Sequence, residues 1–421
     1  MWTTALEMGR AEPSPRRWAC AFAILATAVL LGGLPTPGRA ADPEPSRPRL
    51  ELSTAVGRAL GRFLERSWPD HPEWLAMLAD ILQGSQLGPE DGWFRKAKAQ
   101  TRFGWEATRS RYDRDGDGRI DREEFAGPEP DFARLDRDRD GAITAADFDW
   151  SAHALAPSPG MMLFLLADRD ANGKLTREEF DALFRVLDRD NLGFLALDDF
   201  KALLSPQGQR SSPSGPPSSN RGPSKLTLIK GLLRQEIGAL QPGPVLGESA
   251  PDFTLRTVDG GRTYTLSRLI GPKPVVLVFG NFTCGPFRSQ AGNVEQLYRR
   301  YHDRAEFLMI YVREAHPRGG WVLPSNERVG VALDQPRTYD ERVVVAQMCQ
   351  RKLDFDLPFL VDTIDDAVGA RYSGMPSRLY LIDRQGKIAY KSGRGPFGFK
   401  PGELEQALIL LLQEEGTSGS R

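Results

Sequence analysis

Cysteine is scarce in this chain of 421 residues: Cys20, Cys284 and Cys349 are all there is. Two or three thiols are too few to staple a protein this large, which excludes a disulfide framework and leaves cysteine for reactivity or packing. Net charge is scarce too. Lys and Arg number 55 against 56 Asp and Glu, giving -1 overall, and no long basic run occurs. No nucleic-acid partner is therefore expected. Long apolar runs are also few. The one candidate, Ala19 to Leu34, is short for a membrane span and contains Gly32-Gly33. Arg16 and Arg17 precede it and Gly38-Arg39-Ala40 follows it, the positive, apolar, small-x-small order of an export signal. This predicts a signal peptide over 1–40, cleaved after Ala40, and a periplasmic or extracellular mature chain that loses Cys20. The paired arginines also suit a twin-arginine signal, and an uncleaved membrane anchor is the competing reading.

What is present divides the chain. Residues 41–110 carry apolar residues at helical spacing, Val56, Leu60, Phe63 and Leu64, then Leu75, Leu78 and Leu82, which predicts amphipathic helices. Trp74, Trp93, Phe94, Phe103 and Trp105 are read as their packing. Residues 205–224 are rich in Ser, Pro and Gly and poor in apolar side chains, the composition of a linker. A short helix is predicted over Leu226 to Leu240. From there to about residue 415 apolar strands alternate with helical stretches, the pattern of an α/β sheet. Pro274 to Phe279, Phe307 to Val312 and Arg378 to Ile382 read as buried parallel strands, with a further strand over Lys387 to Ser392. Ala291 to Arg304 and Pro401 to Leu412 read as helices.

Aspartate crowds into residues 111–204 in four copies of one pattern. Oxygen-bearing side chains alternate, a glycine makes the sharp turn, and an acid closes the loop. That arrangement surrounds a hard cation with six to eight oxygens. In the first copy Asp113, Asp115, Asp117 and Asp121 offer side-chain oxygens, Arg119 a carbonyl, and Glu124 a bidentate carboxylate. Ile120 is the apolar residue expected to pair neighbouring loops through a short strand. The second copy has Asp136, Asp138, Asp140 and Thr144, and closes with Asp147, whose shorter side chain predicts weaker binding. The third has Asp168, Asp170, Asn172, Thr176 and Glu179, with Lys174 lending its carbonyl. The fourth has Asp188, Asp190 and Asp199, but Leu192 stands where an oxygen is needed. These segments resemble EF-hands, which implies an all-α calcium-binding module with Ca2+ as ligand. The loops start close together, so short connecting helices are expected. An exported protein meets abundant calcium, so a bracing role is favoured over a sensing one.

The last domain carries the chemistry. A buried strand ends at Gly280, and Cys284 follows in the loop before a helix. A helix N-terminus favours the thiolate, the nucleophilic form of cysteine. Phe287 stands where a Cys-x-x-Cys motif would have its second thiol, so Cys284 has no partner within the motif. Cys349 lies in a helical stretch, Val343 to Leu353, as a packing residue or a resolving thiol. Ala250-Pro251-Asp252-Phe253-Thr254-Leu255 and Met375-Pro376 resemble the opening and the cis-proline loop of the thioredoxin fold. A multidomain chain is thus expected, an EF-hand module plus an α/β thioredoxin-like domain over 225–415.

Within that domain, Phe307 to His316 with Gly320-Trp321, Leu357 to Thr363, and Met375 to Tyr380 with Gly386 to Tyr390 and Gly395-Pro396 resemble the iodothyronine deiodinases. That family removes iodine from iodinated phenols with a selenocysteine and a thiol co-substrate. Cys284 falls at the selenocysteine position. The resemblance implies that His316 contacts substrate or passes a proton, and that Glu314, Tyr311 and Thr283 form a proton relay. Arg378 matches a ligand-clamping arginine, with Trp321 and Pro376 beside the substrate. Gly319 replaces the aspartate usual before Gly-Trp, and no histidine occurs near Asp334-Gln335. The expected activity is reductive dehalogenation of a small molecule, drawing electrons from an external thiol reductant. A peroxiredoxin-like reaction with a peroxide substrate and a non-catalytic calcium-binding role are the alternatives.

Overall fold

The computed structural model describes residues 54–67, 72–85, 98–151, 159–188, 191–196, 223–395 and 398–418. The expected export signal, the linker over 205–222, Trp93, Phe94, Asp190, Asp199 and Pro396 lie outside these residues. No helix among the described residues is long and apolar enough to cross a membrane.

The centre is an eight-stranded sheet whose strands, from edge to edge, are β1 (Gln100–Thr101), β8 (Ile388–Lys391), β7 (Arg378–Ile382), β4 (Val275–Gly280), β5 (Glu306–Tyr311), β6 (Phe359–Val361), β2 (Thr254–Thr257) and β3 (Thr263–Thr265). Its middle strands are β4, β5 and β7. Every residue of β4 and β7 is buried, because helices cover both faces. That double burial is why these strands read as unbroken apolar runs rather than alternating ones. β4 pairs parallel with β5, which pairs parallel with β6 (Phe359–Val361). β4 pairs antiparallel with β7, which pairs antiparallel with β8 (Ile388–Lys391). The expectation of a parallel β7 is thus corrected: Val278 lies opposite Met309 on one side and Leu379 on the other. Burial dictates the apolar run, and the run carries no strand direction. β2 (Thr254–Thr257) and β3 (Thr263–Thr265) extend the sheet beyond β6.

At the other edge the 41–110 region does something its helical pattern did not announce. Gln100–Thr101 forms β1, with Gln100 opposite Lys391 and Thr101 opposite Tyr390. Upstream, helices Thr54–Ser67 and Glu73–Gln83 pack with helix Lys225–Leu233. Leu75, Leu78, Leu82, Leu228 and Leu232 form their shared core.

The calcium-loop module is docked onto the sheet domain. Tyr112, Ile120, Phe125, Phe132 and Ile143 belong to the same buried cluster as the central strands. Helix Pro401–Ser418 is the bridge: Gln406 accepts from Trp150 Nε1 at 2.9 Å and Gln413 donates to Asp131 at 3.0 Å. The third loop sits elsewhere, with Gly173 against the backbone of Arg288 to Ala291 and its side chains beside the end of helix Tyr339–Leu353. Lys174 Nζ bonds Asp354 at 2.8 Å and Lys352 Nζ lies 3.4 Å from Asp170.

Candidate active site and metal loops

β4 delivers the chain to the site. Gly280 ends it, and a Cβ there would overlap the Phe287 ring. Asn281, wholly buried, then organises three segments. Its Oδ1 accepts from the backbone N–H of Cys284 and of Ala315, each at 3.1 Å, and from the Thr283 hydroxyl at 3.2 Å. Its Nδ2 donates to the Pro376 carbonyl at 2.9 Å. Met375-Pro376 is a cis peptide. Sequence reasoning missed Asn281, because an asparagine after a strand resembles an ordinary loop residue. The available signal was its position after six buried apolar residues, where an amide must find partners inside.

The expected relay residues are brought together behind the loop. Glu314 Oε2 accepts from the Thr283 N–H at 2.8 Å, and Glu314 Oε1 accepts from the Tyr311 hydroxyl. The Tyr311 oxygen in turn accepts from the Phe282 N–H at 3.2 Å. Thr283 Oγ1 accepts from the His316 N–H at 3.0 Å. Burial holds the Glu314 carboxyl above the usual carboxylate range and pushes the Tyr311 phenol well up. Gln335 fixes Glu314 further through paired backbone bonds at 2.9 and 3.1 Å.

Cys284 and His316 line one cavity of about 130 Å³, with Pro376, Trp321, Glu236 and Met77 among its walls. The last two come from outside the strands and could not be anticipated locally. His316 Nδ1 donates to the Trp321 carbonyl at 2.8 Å, and the Trp321 ring stands edge-on to the imidazole with centroids 4.8 Å apart. Burial pushes the imidazole down to about 4, so it is neutral at pH 7. With Nδ1 protonated, Nε2 is left as the base.

Two expectations need correction. Cys284 caps a helix of only five residues, Gly285–Ser289, and is 1% exposed. Burial outweighs the Phe287 N–H and the Arg288 charge and pushes its thiol up to about 11, so the resting group is a thiol rather than a thiolate. Arg378, expected to clamp ligand, does not line the cavity. It is 1% exposed and donates to the Ser373 carbonyl at 2.8 Å and to Glu73 at 2.6 Å. Arg394 holds the same Glu73 oxygen at 3.1 Å, and the two guanidinium groups help hold the Glu73 carboxyl down at about 2 against its burial. Cys349 is fully buried in helix Tyr339–Leu353, and both thiols are free.

The metal loops share one fold. In each the first aspartate accepts from the N–H of the turn glycine: Gly118 to Asp113 at 3.1 Å, Gly141 to Asp136 at 3.0 Å, Gly173 to Asp168 at 2.9 Å and Gly193 to Asp188 at 2.9 Å. All four glycines have positive φ, where a side chain is strained. Ile120 and Ile143 bridge the first two loops. Carboxylate oxygens gather within 4.8 Å of one another in Asp113, Asp115 and Glu124, in Asp136, Asp138 and Asp147, and in Asp168, Asp170 and Glu179. Such triads of hard oxygens fit Ca2+. Asp117, Asp121, Asp140, Asn172, Thr144 and Thr176, with the Arg119 and Lys174 carbonyls, would complete the shells. Asp147 reaches its partners despite its shorter side chain, and the second loop leaves through a 3-10 turn, Ala145–Phe148, rather than an α-helix. The fourth loop keeps the turn, with Leu192 61% exposed at the ligand position.

A cysteine at the end of the central strand, a cis-proline beside it and a mixed sheet flanked by helices define a thioredoxin-like domain, here joined to an EF-hand module. The comparisons name its relatives. Residues 227–410 match the model of the iodothyronine deiodinases, residues 110–126 and 131–149 an EF-hand model, and residues 173–205 an EF-hand domain pair. The chain is 32% identical to a type I iodothyronine deiodinase of Xenopus laevis over 185 residues, 44% of this chain and 71% of that one. It is 34% identical to a thyroxine 5-deiodinase of Gallus gallus over 160 residues, 38% and 60% of the two chains. A solved thioredoxin domain of a thiol-disulfide oxidoreductase from Bacteroides vulgatus shares 17% identity, covers 41% of this chain and 97% of its own, and has a TM-score of 0.28. The chain belongs to the iodothyronine deiodinase family, a family of oxidoreductases.

Proposed function

We propose that this protein is an exported reductive dehalogenase that takes iodine from an iodinated phenol through Cys284, braced by calcium. The observation that carries the reading is the shared cavity of Cys284 and His316. Sulfur is a soft nucleophile suited to a polarisable halogen, and a neutral imidazole beside it can move a proton. The proton leaves sulfur as the S–I bond forms, passes through His316 Nε2, and reaches the carbon as the C–I bond breaks. Cys–SH and aryl iodide thus become Cys–S–I and arene. An external thiol displaces iodide and a proton to form a mixed disulfide. A second thiol restores Cys284 and leaves as the oxidised disulfide. At about 130 Å³ the cavity is smaller than the roughly 300–1,000 Å³ of common ligand pockets, which favours a single-ring substrate. Iodide release from iodophenols with a dithiol reductant tests this. Cys284→Ser abolishes it, and no release from a wild-type protein whose Cys284 still alkylates removes dehalogenation.

The same small cavity favours a second reading, a thiol peroxidase. Peroxide would then yield a sulfenic acid at Cys284 that a dimedone probe traps. A full reaction with iodophenol and no trapped adduct decides against it. Export rests on the order of residues 1–40 and is tested by the mature N-terminus.

A further inference from the structure

Arg288 stands one helical turn after Cys284, its N–H donating to the Cys284 carbonyl at 3.1 Å. The side chain is 2% exposed and folds back under the loop. Nη1 donates to the Phe282 carbonyl, and Nη2 to Asn326 Oδ1 at 2.8 Å. Asn326 Nδ2 donates in turn to the Thr283 carbonyl at 2.8 Å. A Cβ added at Gly285, beside the cysteine, would lie 3.8 Å from Nη2. Nε has no hydrogen-bond partner, and among the described residues no carboxylate forms an ion pair with this guanidinium. Burying a cation with no carboxylate in hydrogen-bond reach is costly; burial pushes this guanidinium down, and the negative charge that opposes the shift comes first from Cys284, then from Cys349, Glu314 and Tyr311.

We propose that Arg288 is a positioning residue of the active site, supplying the fixed positive charge that the Cys284 sulfur needs as it becomes negative. The inference rests on reading Cys284 as the nucleophile. Charged and titratable groups face this sulfur from several elements. Glu314 lies behind the loop and opposes ionisation, and Arg288 favours it. His316 and Glu236 line the cavity. Cys349, on helix Tyr339–Leu353, is held well up by burial and by Glu314, and Arg288 opposes that shift. The same charge works against protonation of His316, so one guanidinium favours both a base-form imidazole and an anionic sulfur.

The test uses the full chain and reads iodoacetamide alkylation at the Cys284 peptide by mass spectrometry, with thiolate ultraviolet absorbance followed against pH. Arg288→Met slows alkylation at pH 8 by about tenfold or more, the effect of losing a neighbouring opposite charge. Arg288→Lys restores most of the rate, which a purely steric role would not do. Asn326→Asp keeps the guanidinium and sets a carboxylate against it, and slows alkylation in the same direction. A natively folded Arg288→Met protein with unchanged rate and absorbance titration overturns the proposal. If that variant does not fold, an Asn326→Asp protein with unmoved titration overturns it. Wild-type Cys284 that resists alkylation at every pH overturns both this inference and the reading beneath it.

Discussion

At Cys284 two effects compete. The helix end and Arg288 favour sulfur carrying charge, and removal from water opposes it. Burial shifts a titratable group by up to 3–5 units when complete, whereas a five-residue helix offers only part of a macrodipole. The balance leaves the thiol at about 11. Alkylation of Cys284 is therefore expected to climb about tenfold per unit between pH 7 and pH 10, as the thiolate fraction does. A plateau below pH 8 would contradict the burial. Asn281 invites a second test. Asn281→Ala strands buried N–H donors on Cys284 and Ala315, at about 1–3 kcal/mol for each unsatisfied group, and denaturant midpoints should fall accordingly. Cys284 could be picked out in the sequence by its place between a strand and a helix, and Thr283, Tyr311, Glu314 and His316 only through the resemblance to the deiodinases. The environment that sets their ionisation was not legible, because it comes from packing partners distant in the chain.

Among the elements, helix Glu73–Gln83 changes the picture most. Its first residue bonds Arg378 across 305 positions of sequence, so no local pattern could reveal that this arginine already has a carboxylate. The Glu73 carboxyl is depressed from 4.5 to about 2. A depressed acid contributes stability above its unfolded pKa and loses it as pH falls through the folded one. The helix should therefore loosen between about pH 4.5 and pH 2, read as rising protease cleavage near residue 85. Glu73→Gln should loosen it at pH 7, by less than the roughly 3–5 kcal/mol of a fully buried pair, since a quarter of the side chain meets water. Cleavage unaffected by either change would sever the link between Glu73 and the helix. The second calcium loop carries a milder lesson. Asp147 looked short in the sequence, yet its carboxylate joins those of Asp136 and Asp138, and the 3-10 turn it sits in is a backbone choice the sequence pattern did not announce.

For the molecule as a whole, the order of modules was written in composition, while their docking was not. Tyr112, Phe125 and Phe132 bury themselves in the same cluster as the sheet, an arrangement that periodicity cannot distinguish from a free-standing module. Docking has a thermodynamic signature. Calcium binding the folded form stabilises by about 2.7 kcal/mol per site at a hundred times Kd. Because the core is continuous, a chelator should lower the melting temperature of the α/β domain too, in one transition. Separate transitions with an unmoved upper one would show that the modules melt independently.

Two residues, Gln100 and Thr101, occupy the flank of β8. An uncovered strand flank is an open row of donors and acceptors that invites a second molecule. A truncated version beginning near residue 225 would present the Lys391 and Tyr390 backbone in that way, and light scattering should detect its self-association. The short leading strand thus serves the colloidal health of a sheet whose chemistry lies far along the chain from it.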